Sequence, residues 1–252
     1  WPYYAEHLIL ATPDNGVVAA MYAACKATVK VGDGNEISLH EQTNYPFEET
    51  IRFTVNTPKA VSFPFYLRIP SWTEGATIFV NGKKVAANPE AGQYACINRE
   101  WKDNDQVEIQ LPMQLSMRTW QVNKNSVSVD YGPLTMSLKI DEDYVKKDSR
   151  ATAIGDSKWQ EGADASQWPT YEIYAKTPWN YALVLGKNEP LKDFKVVHKE
   201  WPADNFPFTV ASTPIEVKAI GRKVPSWVID QYDLCSELPE MDAPKGEKEE
   251  IT

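Results

Sequence analysis

Apolar and polar residues alternate with a period of two through most of this chain, and that pattern leaves few fold classes open. In CKATVKV the residues Cys25, Ala27, Val29 and Val31 share a face. In TIRFTVN the same holds for Ile51, Phe53 and Val55, and in VSFPFYLRI for Phe63, Phe65, Leu67 and Ile69. Successive side chains of a strand point to opposite faces, so each segment predicts a strand with one buried side. GDGN ahead of EISLHE, and Asn81-Gly82 inside ATIFVNGKKV, supply the turn residues that hairpins require. GQYACINREW and DQVEIQLPM complete a set spaced by roughly 8–12 residues, as in a β-sandwich.

A second strand set begins near Leu115, after Pro112 ends the alternation of Val107, Ile109 and Leu111. It comprises LSMRTWQV, SVSVDYGPLTMSLKI, YEIYAK, NYALVLG, FKVVHK, PIEVKAIGR and SWVIDQYDL. Between Asp141 and Gln167 the periodicity lapses, which predicts a polar surface excursion. At the start, Tyr3 to Thr12 reads as a short helix halted by Pro13-Asp14-Asn15-Gly16. The charged end, DAPKGEKEEIT, is expected to fray. The expected fold is all-β: two consecutive antiparallel β-sandwich, jelly-roll-like domains preceded by one short helix. Residues 1–14 form the helical lead-in, 15–113 the first sandwich, and 114–252 the second with a frayed acidic tail.

The charge balance narrows the partners. Lys and Arg number 26 against 35 Asp and Glu, a net −9, whereas nucleic-acid surfaces need clustered cations. No nucleic acid is expected, and no apolar run approaches the ~20 residues of a membrane span, so no membrane partner is expected. The first residues carry neither an initiator Met nor a charged leader. The chain therefore reads as the tail of something longer, and its location is not legible from it.

Three cysteines, Cys25, Cys96 and Cys235, lie far apart without a C-x-x-C pair or a histidine at ligand spacing. They are expected to be small buried hydrophobes, with no metal and no cofactor in this chain. His7, His40 and His198 are equally scattered, and no nucleophile elbow accompanies them. Glu48-Glu49 and Asp141-Glu142-Asp143 are carboxylate pairs in composition only, since neighbours on a strand diverge and acidic runs are usually solvated. Trp159, Trp168, Trp179 and Trp201 cluster in sequence with Tyr171, Tyr174 and Tyr181. Such rings usually fill a core. The alternative is an exposed platform on which a sugar stacks, which makes the four tryptophans the candidate carbohydrate-binding residues.

Six segments in order, WPYYAEHLILATPDNG, YPFEETIRFTV, FYLRIPSWTEGATIFVNGKKV, GQYACINREWKDNDQVEIQLPM, NSVSVDYGPLTMSL and PWNYALVL, resemble the C-terminal region of glycoside hydrolase family 127, the β-L-arabinofuranosidase family. The resemblance implies a bacterial parent enzyme with an N-terminal (α/α)6 barrel followed by two β-sandwiches. It implies a retaining mechanism with a zinc-held cysteine nucleophile and a glutamate acid/base, all on the barrel, and none of Cys25, Cys96 or Cys235 matches that motif. Tyr3 to Thr12 would then be the last barrel helix, with Trp1, Tyr3, Tyr4 and Leu8 forming an apolar patch that the barrel covers. This chain is expected to be a non-catalytic accessory region whose partners are the barrel and plant or bacterial glycans. The resemblance further implies a parent exported to the periplasm or beyond.

Overall fold

The computed structural model describes residues 2–86, 89–151, 162, 164–230 and 247–252. The chain divides into two compact units, Trp1–Met136 and Ser137–Thr252. The family of strands that follows Pro112, up to Met136, thus clusters with the first unit.

In the first unit, α1 (Pro2–Glu6) leads into β1 (Ile9–Ala11), β2 (Val17–Ala19), β3 (Cys25–Val31), β4 (Asn35–Gln42), β5 (Thr50–Asn56) and β6 (Val61–Arg68). β7 (Thr77–Val80), β8 (Lys83–Lys84), β9 (Tyr94–Trp101) and β10 (Asp105–Gln110) follow, then β11 (Leu115–Trp120), β12 (Ser126–Tyr131) and β13 (Leu134–Met136). They form a four-stranded sheet ordered β1-β2-β6-β9, a six-stranded sheet ordered β3-β4-β5-β10-β7-β8, and a three-stranded sheet ordered β11-β12-β13. Pairing is antiparallel with one departure: β2 lies parallel to β6, with Val18 opposite Tyr66.

The inward residues of the two larger sheets make one core. Phe63, Phe65 and Leu67 of β6 meet Ile51, Phe53 and Val55 of β5, all buried, as the alternation requires. Trp101 is fully buried among them: its ring lies 5.7 Å from that of Phe63 and 6.0 Å from that of Phe65, and its Nε1 donates to the Phe63 carbonyl at 3.0 Å. A buried indole is stable in a core when its one donor is satisfied, and here it is. The Asn81-Gly82 turn joins β7 to β8 with both residues at positive φ, 50° and 75°, the left-handed pair that a two-residue hairpin needs.

The terminal helix is shorter than its sequence suggests. It ends at Glu6, and Ile9–Ala11 is a strand paired with β2. Leu8 turns inward to 6% exposure, and its carbonyl accepts from the amides of Ala20 and Met21, so the backbone is satisfied by a sheet rather than by the next helical turn. The hairpin from β1 to β2 works only with a glycine at its base. A Cβ on Gly16 would stand 2.3 Å from the Pro64 carbonyl oxygen and 2.6 Å from Pro64 Cγ. Gly16→Ala is expected to destabilise the first unit by ~1–3 kcal/mol through that overlap, read as a lower urea midpoint at unchanged slope.

In the second unit, β14 (Glu142–Lys147) pairs with β15 (Thr170–Ala175) as a two-stranded ribbon. β16 (Tyr181–Leu183), β17 (Lys195–His198), β18 (Ile215–Lys223) and β19 (Lys248–Ile251) form the other sheet, with β18 between the rest. Ile215, Val217 and Ala219 alternate inward along β18. The polar excursion therefore opens with a strand, β14. The tail does not fray over its last residues: Lys248–Ile251 pairs with β18, Ile251 packs on Gly221, and Lys218 Nζ contacts Glu250 Oε1 at 2.7 Å. Charge was the wrong guide there, because β18 offers a free edge and a glycine that receives the Ile251 side chain.

Candidate functional site

Of the carboxylates singled out by sequence, Glu48 and Glu49 accept hydrogen bonds that hold local structure. Glu48 accepts from Asn44 Nδ2 at 2.7 Å, and Glu49 accepts from the Met113 amide at 2.7 Å. The Asp141-Glu142-Asp143 run sits at the start of the ribbon, where the Asp141 amide is held by Thr177 Oγ1. His7 lies in the turn just after α1 with Nδ1 2.6 Å from the Tyr3 carbonyl, and His40 is exposed on β4. Cys96 is exposed and Cys25 half-buried, which corrects the expectation that both are core residues. The alternation of β9 puts Cys96 on its outer side. Cys235 lies outside the described residues.

Glu41 is not among the residues that sequence motifs single out. The alternation of Ile37, Leu39 and Glu41 turns this carboxyl toward the core face of β4, where it is 1% exposed. It accepts from the Ala23 amide at 3.0 Å and from Cys25 Sγ at 3.7 Å, and Cys25 is its directly opposite neighbour on β3. Burial dominates its electrostatics and raises its pKa to about 8. Burial, with Glu41 beside it, also raises the Cys25 thiol to about 11, so this thiol stays protonated and is a poor nucleophile near neutral pH. Tyr22 is buried nearby and donates from its hydroxyl to the Arg68 carbonyl at 2.6 Å, while Tyr4 of α1 donates to the Tyr22 carbonyl at 3.3 Å. The cluster ties α1 to the sandwich.

An apolar row crosses the outer face of the four-stranded sheet. Leu10 is opposite Val18, Val18 opposite Tyr66, and Tyr66 opposite Cys96. Leu10, Val18 and Tyr66, together with Pro13, Ala20 and Tyr94, line an open groove of about 540 Å³. Tyr66 Oη donates to Asp14 Oδ2 at 2.6 Å, and Thr12 donates to the other carboxylate oxygen. These bonds, Thr12's first, lower the Asp14 pKa, so the rim carries a fixed negative charge. Leu10 and Tyr94 are large side chains left in solvent at this groove, and Tyr3 (79% exposed) and Tyr4 are exposed on α1. Of the apolar patch expected at the chain's start, Tyr3 and Tyr4 are exposed, Leu8 is buried, and Trp1 lies outside the described residues.

The candidate sugar-binding tryptophans fall on separate segments of the second unit. Trp168 is the most exposed of those described, just ahead of β15, where its carbonyl accepts from Ser149 Oγ at 2.6 Å. Trp179 is half-buried ahead of β16. Trp201 is half-buried after β17 and donates from Nε1 to Asn205 Oδ1 at 2.8 Å. Trp159 lies outside the described residues. Tyrosines make a further aromatic surface on the ribbon: Tyr144 and Tyr171 are exposed, with ring centroids 6.0 Å apart.

Among the described residues no three His, Cys, Asp or Glu side chains converge in a way that could hold a metal ion.

Residues 16–113 match the family model for the GH127 middle domain of beta-L-arabinofuranosidases. Among solved structures the chain is similar to Ara127N-Se, a GH127 beta-L-arabinofuranosidase from Geobacillus stearothermophilus T6, with a TM-score of 0.59 and 21% identity over 98% of this chain and 32% of that one. A second structure, described as a glycoside hydrolase, matches with a TM-score of 0.56 and 22% identity over 95% of this chain and 35% of that one. The chain thus spans about a third of the length of either, and at such identities the likeness is one of fold. No curated protein matches it. Residues 16–113 thus match the middle-domain model of glycoside hydrolase family 127, within a chain whose fold is similar to part of those larger proteins along nearly its whole length.

Proposed function

We propose that this chain is a non-catalytic accessory region of a β-L-arabinofuranosidase-like glycoside hydrolase, packing against and supporting a catalytic (α/α)6 barrel that precedes it. The barrel, on this reading, carries the zinc-associated cysteine nucleophile of a retaining mechanism. The observation that carries the proposal is the apolar row Leu10–Val18–Tyr66, with exposed Tyr94 lining the same groove. Exposed apolar surface of this kind marks an interface with another protein body. The covering of only a third of the larger structures supports the same reading.

The test compares this chain with a protein extended upstream through the barrel, both supplied with zinc and an aryl β-L-arabinofuranoside. Turnover is expected from the longer protein alone. Zinc-independent hydrolysis by this chain would overturn the proposal. A second reading, a carbohydrate-binding platform in the second unit, is favoured by the exposure of Trp168 and of the Tyr144–Tyr171 pair of the ribbon.

A further inference from the structure

The outer face of the six-stranded sheet carries a different kind of row from the apolar one. Gln42 is opposite Arg52, Arg52 opposite Glu108, and Glu108 opposite Phe79, on four adjacent strands β4, β5, β10 and β7. At a strand spacing of ~4.8 Å the row is ~14 Å long. It lies in a groove of about 350 Å³ that Thr54, Gln106 and Gln110 also line, within the ~300–1,000 Å³ range of small-ligand sites.

The groove's polar groups are held in place. Gln110 Nε2 donates to Glu108 Oε1 at 2.9 Å while its own Oε1 accepts from Thr77 Oγ1 at 3.2 Å, and Arg52 Nε donates to Glu108 Oε2 at 2.9 Å. Both carboxylate oxygens are thus occupied by donors that orient them, and the Arg52 side chain remains 61% exposed. Gln42 and Gln106 stand exposed beside it. At the other end Phe79, on the outward side of β7, is half-buried rather than submerged in the core.

We propose that this groove binds a neutral carbohydrate, with Phe79 stacking on the apolar face of a sugar ring and Gln42, Arg52 and Gln106 contacting its hydroxyls. Hydroxyls donate and accept at once, so they suit paired amides and an ion pair that presents both kinds of group. The charged residues lining the groove, Arg52 and Glu108, neutralise each other, which disfavours a phosphate or polyanion, since those require unpaired cations. Lys84 lies opposite Phe79 at the rim, outside the lining. A protein partner would need a desolvated aromatic or a free arginine anchor at the centre, whereas the central Arg52 is already paired with Glu108. The inference concerns a sheet distinct from the apolar row and does not depend on whether a barrel covers that row.

The test is affinity electrophoresis of the full chain in gels cast with soluble arabinan, arabinoxylan or galactan, with polygalacturonate as the charged arm. Retardation by at least one neutral polysaccharide is expected, weakened about tenfold in Kd in Phe79→Ala and in the Gln42→Ala/Gln106→Ala double variant, and unchanged in Trp168→Ala. The double variant touches only exposed side chains, and far-UV circular dichroism confirms that each variant is folded. No retardation by any neutral glycan, retardation by polygalacturonate alone, or retardation lost only in Trp168→Ala would each overturn the proposal. None of these outcomes bears on the accessory reading, which turnover by the extended protein tests.

Discussion

Replacing Trp101 by alanine will cost the first unit ~3–5 kcal/mol of stability, the range for truncating a large buried aromatic. The ring is fully buried, contacts Phe63 and Phe65 from β6 and has Arg99 stacked at 5.2 Å, so its truncation removes packing on several sides. The loss also leaves the Phe63 carbonyl without the indole donor. Urea unfolding followed by far-UV circular dichroism reads the change without relying on the removed fluorophore. Trp101→Phe separates the two contributions: it keeps most of the packing, removes the hydrogen bond, and should cost ~1–3 kcal/mol. A midpoint for Trp101→Ala indistinguishable from the parent sequence would mean that the core is not organised around this ring.

The stability of the first unit will fall as pH rises from about 4.5 to about 8, and Glu41 is the cause. Its carboxyl has an ordinary value of 4.5 when unfolded and is pushed up to about 8 in the fold, chiefly by burial. A raised folded value means that the native state holds a proton that the unfolded state has released. The stabilisation is complete below pH 4.5, declines through the interval, and is gone above pH 8. At 1.36 kcal/mol for each pH unit the full amplitude is at most ~5 kcal/mol. Glu41→Gln keeps an acceptor for the Ala23 amide and removes the titration. It should be more stable than the parent sequence at pH 8 and closely similar at pH 4. Parallel pH profiles for the two proteins would show that Glu41 is ionised and compensated in the fold, against this account.

Much of the first unit was legible because alternation is a local property. Ile51, Phe53 and Val55 face one way in any sheet that buries them, and Asn81-Gly82 makes its turn from its own backbone preferences. The same alternation in EISLHE places Glu41 on the core face with Ile37 and Leu39. The helix at Tyr3–Thr12 was overextended because Leu8 and Ile9 fit an apolar helical stripe as well as they fit a strand edge, and only the amides of Ala20 and Met21 decide between them. Lys248–Ile251 was misread for a related reason: its composition is that of a solvated tail, and its strand exists because β18 lies beside it.

By itself, then, the sequence determined the β class, the hairpin turns and the faces of the main strands, because these follow from neighbours two residues apart. The tertiary structure decided which strands meet: that β2 runs parallel to β6, that Gln42, Arg52, Glu108 and Phe79 fall into one row, and that Leu10, Val18 and Tyr66 fall into another. A period of two says which side of a strand is wet. It cannot say which strand lies alongside, since that depends on contacts between residues far apart in the chain, and the chemistry of each outer face is set by those pairings.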